Sequence, residues 1–77
     1  MKYEYMKPYE ITFYDHFIDE TKKEVICKTV GYFLEKDKNY LHFSYWIVNT
    51  DDKELFENNL EKFSVLRSTI NKSKKVS

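Results

Sequence analysis

The sequence predicts a mainly β fold, one small and strongly bent antiparallel sheet or a barrel-like closure of it, with at most a short helix after Asp51. Three observations carry that expectation. Val25 to Val48, VICKTVGYFLEKDKNYLHFSYWIV, joins two runs of β-branched and aromatic residues through the polar Glu35-Lys36-Asp37-Lys38-Asn39, the pattern of a β-hairpin. The only glycine, Gly31, falls inside the first run, where a missing side chain marks a bend, a bulge or a neighbour packed over the gap. Fourteen of the 77 residues are Phe, Tyr or Trp. They supply large area to a thin core, since a chain this short buries only ~60% of its unfolded surface.

Taken in order, Met1 to Pro8 alternates polar and aromatic residues, as a short strand or an arm that Pro8 ends. Tyr9 to Tyr14 reads as a strand with Ile11 and Phe13 on one side and Thr12 and Tyr14 on the other. Residues 15–24 mix acids, a turn signal and two lysines around Phe17 and Ile18, the composition of a loop. In the hairpin after this loop, pairing Leu34 with Tyr40 sets Phe33 opposite Leu41, Gly31 opposite Phe43, Thr29 opposite Tyr45 and Cys27 opposite Ile47, on a core face. Leu34, Tyr40, Tyr32, His42, Val30, Ser44, Lys28 and Trp46 share the other face. A bulge at Gly31 would exchange the two faces on one side of it.

Asn49 to Lys53 is a turn by composition, and the rest of the chain has two readings. As a helix over 51–72, in an α+β fold, Asp51 and Glu54 form a capping box, and Leu55, Phe56, Leu60, Phe63, Leu66 and Ile70 fall within roughly 140° of arc. As strand, turn and strand, Phe63 and Val65 alternate inward, Arg67-Ser68-Thr69 turns and Ile70 closes the end. Asn58, Asn59 and the Ser/Thr-rich end are weak helix formers.

The chain is one domain, residues 1–77, with a frayed basic tail expected over 71–77. Net charge is zero but uneven: residues 1–20 carry two bases against five acids, and residues 61–77 carry five bases against one acid. The single cysteine forms no internal disulfide and no apolar leader precedes a cleavage signal, so a reducing cytoplasm is the expected location. The apolar runs fall far short of the roughly 18 residues of a membrane span.

Little catalytic chemistry is legible. In the hairpin register Cys27 and His42 lie on opposite faces and roughly 16 Å apart at about 3.3 Å per residue, which rules out a dyad and makes Cys27 a small core residue. His16 and His42 with one cysteine give no zinc spacing, and Asp51, Asp52, Glu54 and Glu57 lack the glycine of a calcium loop. One glycine builds no phosphate-cradling loop. No enzyme, metal or cofactor is expected. The candidate binding residues are Lys28, Tyr32, Tyr40, His42 and Trp46 on the mixed face, with Arg67 from the basic end.

Three stretches carry a resemblance: ITFYD at 11–15, the order Val-Gly-Tyr-x-x-acidic-x-Asp-x-x-Tyr-Leu from Val30 to Leu41, and Val-Leu-Arg-x-x-Ile from Val65 to Ile70. Together they resemble a group of short, largely uncharacterised proteins of bacteriophages and bacterial genomes. In that group the position of Leu66 is often proline, which implies a strand near Phe63 to Val65. The chain departs from it at Phe13, where tryptophan is common, and in a longer acidic segment at 49–58. The arrangement is also similar to small SH3-like or Sm-like barrels, which Gly31, Asp37 and Asn39 match loosely, without the spacing of an RNA-binding signature. The resemblance implies a non-enzymatic phage or mobile-element accessory protein in a bacterial host cytoplasm, acting on a host macromolecule or sequestering a ligand. Its expected partner is a host protein or a second copy. The alternatives are a nucleic-acid or nucleotide-binding module that uses the basic end and the aromatic face, and a structural assembly component.

Overall fold

The computed structural model describes residues 2–15 and 25–76. Five strands form one antiparallel sheet: β1 Pro8–Asp15, β2 Val25–Lys36, β3 Tyr40–Ser44, β4 Lys62–Leu66 and β5 Ile70–Lys75. A helix, α1 Lys53–Asn59, precedes β4, and a 3₁₀ turn, Arg67–Thr69, joins β4 to β5. The order across the sheet is β4-β3-β2-β1-β5. The fold is mainly β, as expected, and the loop expected over 15–24 lies outside the described residues except for Asp15, the last residue of β1.

One face of the sheet is the core. Period-2 alternation turns Tyr9 and Ile11 of β1, Phe33 of β2, Leu41 and Phe43 of β3 and Val65 of β4 inward, and all six are buried. Tyr3, Phe13, Phe63 and Ile70 pack against them. Aromatic rings run through this core in sequence: Tyr3 stacks on Phe33 at 5.1 Å, Phe33 meets Phe43 edge-on at 5.9 Å, and Phe43 stacks on Phe63 at 5.3 Å. Such pairs add stability beyond the area they bury.

β2 is long because it serves two neighbours in turn. Val25 to Tyr32 pair with β1, and Tyr32 to Lys36 pair with β3. Gly31 sits beside the handover. A Cβ there would lie 2.5 Å from the tip of the Phe63 ring and 2.8 Å from Phe43 Cβ, so the glycine is a close-approach site for two rings. The expectation of a neighbour over the gap is met by Phe63 together with Phe43.

The expected hairpin register is corrected. Phe33 pairs with Phe43 and Tyr32 with Ser44, two residues from the expected partners, and the bulge falls at Leu34, between Phe33 and Glu35, not at Gly31. Up to Phe33 the slip is two, which changes no face, so Phe33, Leu41 and Phe43 point inward in either register; beyond the bulge it is three, and Glu35 stands opposite His42. β3 also ends earlier than expected. Ser44 Oγ donates to the Trp46 carbonyl at 2.6 Å, and the chain bends at Tyr45 and Trp46, so residues 45–48 never reach β2.

The helix after Asp51 is short, and the alternative helix over 51–72 is overturned. Its cap is Asp52 rather than Asp51: one Asp52 carboxylate oxygen accepts from the Glu54 and Leu55 amides at 2.9 and 3.1 Å. The helix stops at Asn59, and Phe63 and Val65 then alternate inward in β4. The frayed tail is corrected too. Ile70 to Lys75 pair with β1, because the outer edge of β1 offers backbone groups that a polar strand can satisfy. The N-terminal arm is tied in on the same side, with Tyr3 Oη donating to Ser73 Oγ at 2.9 Å and Lys75 paired to Glu4.

Candidate functional site

The six candidate residues divide into three places. Lys28 stands on the first half of β2, exposed, 3.6 Å from Glu10 across the strand pair. Trp46 lies beyond the end of β3, and its indole N–H donates to the Asn59 carbonyl at 2.9 Å, so it ties the end of α1 to the sheet. The expected neighbourhood of Trp46 with Lys28 does not form, because β3 ends before it could pair there. Tyr32 is half-buried between Pro8 and Ser44 rather than opposite His42.

The other three converge on the hairpin turn. Tyr40 and His42 alternate on one face of β3 with ring centroids 6.1 Å apart. Arg67 arrives from the 3₁₀ turn, its backbone N–H donating to Asn39 O at 2.7 Å and its guanidinium to Asp37 O at 2.9 Å. The turn is organised by Asp37. Its Oδ1 accepts from the amides of Asn39 and Tyr40 at 2.8 and 2.7 Å, the side-chain mimic of a backbone turn that aspartate favours.

Asp37 also holds His42, its Oδ2 lying 2.7 Å from Nε2. The bond to His42, then the amides of Tyr40 and Asn39, bring the Asp37 carboxyl down to about 2. On the far side of the imidazole, Nδ1 lies 2.7 Å from Ser64 Oγ, because the β3–β4 register sets His42 directly opposite Ser64. Beside this line runs a groove of about 340 Å³, its walls including Tyr5, Leu34, Leu60 and Lys62.

Asp37 and Ser64 are the members that sequence reasoning missed. Asp37 reads as a turn residue, which it is, and Ser64 stands 22 positions from His42 in a segment with two readings. Only the strand reading of residues 62–66, with its pairing to β3, brings the two together. Among the described residues no three His, Cys, Asp or Glu side chains cluster to hold a metal, and no helix is long and apolar enough to cross a membrane. No protein-family model, curated protein or solved structure matches the chain.

Proposed function

We propose that this chain is a small binding protein that takes an extended segment of a partner along the free edge of β2. The observation that carries the reading is the first half of that strand. Among the described residues, Val25 to Val30 pair with β1 alone, and Val25, Ile26 and Val30 are 41%, 59% and 49% exposed. Long apolar edges invite strand addition, and proteins guard them with lysines or keep them short. β5 carries Lys72, Lys74 and Lys75, and β4 has five residues beginning at Lys62. The β2 edge has only Lys28, already paired with Glu10. A partner strand would satisfy its open backbone groups and cover its apolar side chains.

The test is native mass spectrometry and amide exchange on the wild type and on Ile26→Lys/Val30→Lys. The wild type should carry a second polypeptide, another copy or a host protein, with slowed exchange over 25–31. The double variant should be a folded monomer with fast exchange there. A wild-type monomer with fast exchange over 25–31 in host extract sinks the proposal.

A second reading has its own observation. The β1 register sets Lys28 and Lys72 on either side of Thr12, with Lys74 one row away beside Glu10, which favours a polyanion such as nucleic acid on this face. Its binding should weaken steeply with salt, and no gel retardation of an oligonucleotide at low salt ends it. The resemblance in sequence is what supports an SH3-like or Sm-like relationship and a phage or mobile-element accessory role in a bacterial cytoplasm; the five strands themselves form one open sheet.

A further inference from the structure

The line Asp37, His42, Ser64 has a direction, set by its hydrogen-bond inventory. A carboxylate only accepts, so His42 Nε2 carries the hydrogen and donates it to Asp37 Oδ2 across 2.7 Å. In the neutral imidazole the other nitrogen is then bare. Nδ1 can only accept, and the group 2.7 Å from it is the Ser64 hydroxyl, which therefore donates. A serine O–H aimed at the lone pair of an imidazole whose far side is held by a carboxylate is the arrangement that activates serine as a nucleophile.

The surroundings supply the remaining parts. Ser64 is exposed and the His42 side chain is 24% exposed, so a substrate reaches both. Lys62, two residues before Ser64 on the same face of β4, lines the same groove and puts a cation in it. Its carboxylate neighbour, Glu57, is 3.9 Å away, too far for a tight bond. Tyr5, Leu34 and Leu60 give the groove an apolar part that takes a short acyl chain, and Glu35 and Glu57 line the rest of it.

We propose that this groove is an acyl-transfer site that cleaves small esters, with Ser64 as nucleophile, His42 as general base and Asp37 as the residue that positions the imidazole. Ser64 Oγ bonds to the ester carbonyl carbon while its proton passes to His42 Nδ1. The ester C–O bond breaks, and the alcohol leaves with that proton. Water then attacks the acyl-serine, giving a proton to Nδ1, and the acyl–Oγ bond breaks to release the carboxylic acid as Ser64 regains its hydrogen. The site lies on β3 and β4, apart from the β2 edge, and stands or falls independently of it.

The experiment measures 4-nitrophenyl butyrate hydrolysis by the full chain, with fluorophosphonate labelling read by intact mass and peptide mapping. Wild type should hydrolyse the ester above buffer and take up one label at Ser64. Ser64→Ala should abolish labelling and turnover, and His42→Gln should lower both by on the order of 10²–10⁴-fold, the usual contribution of a general base. Asp37→Asn, whose amide would donate to Nε2 and reverse the tautomer, should lower kcat with KM unchanged. Asp37→Glu should restore part of it, which a merely structural role would not produce. Equal rates for wild type and a folded Ser64→Ala, or no label at Ser64, overturns the proposal.

Discussion

Gly31 to Phe33 and Val25 to Val30 belong to one strand, yet their surroundings differ. The later residues are overlaid by Phe43 and Phe63 and paired on both sides at Tyr32, whereas the earlier ones have β1 on one side and leave three large apolar side chains half in water. Strand propensity is alike in both halves. What separates them is where β3 stops: Ser44 turns the chain away, and among the described residues everything in β2 before Tyr32 has no second strand beside it. Burial in a small sheet is thus set by the length of the shorter partner rather than by the residues of the longer one.

Substitutions can break that comparison at either end. The largest effect is expected at Phe43, fully buried and in ring contact with Phe33 and Phe63. Phe43→Ala should cost about 3–5 kcal/mol, enough to unfold much of so small a domain, as read by thermal or urea unfolding. Gly31→Val places carbon where Phe63 and Phe43 already stand and should cost about 1–3 kcal/mol. Pairing it with Phe63→Leu should recover part of that loss, and a neutral Gly31→Val would mean the rings do not sit over the strand.

Acid should act next, on the hairpin turn and also on the arm. The Asp37 carboxyl at about 2 lies below the ordinary value of about 3.9, so its contribution is present above that ordinary value and is lost as pH falls toward 2. Glu4, lowered by its bond to Lys75, adds in the same sense. Asp37→Asn should flatten the decline of the melting temperature between about pH 4 and about 2. An unchanged slope would remove Asp37 as its source. The smallest effect belongs to the exposed half: Ile26→Lys should change monomer stability by no more than about 0.5 kcal/mol, measured by urea unfolding.

Much of the fold is legible in the residues. Alternation shows which side chains of β1, β2 and β3 face the core, and Arg67 to Thr69 reads as a turn once Phe63 and Val65 are read as strand. Register is not legible, because a two-residue slip exchanges no faces, and the bulge at Leu34 has no compositional mark. β5 is hidden because Asn71-Lys72-Ser73-Lys74-Lys75 has no apolar alternation; it is held by the β1 backbone and by Tyr3 and Glu4. Of the candidate residues, Tyr40, His42 and Arg67 do meet. Ser64 joins them only through a cross-strand pairing that a small polar residue cannot announce.

Trp46 is the only tryptophan, and its indole bonds to the last residue of a helix that has no buried residue of its own. The chain thus carries an intrinsic fluorophore at the junction of helix and sheet, away from the aromatic core. Its emission should report α1 leaving the sheet, while the near-ultraviolet dichroism of the stacked Tyr and Phe rings reports the core. On heating, the fluorescence transition should precede the dichroic one, and coincident curves would mean that helix and sheet melt as a single unit.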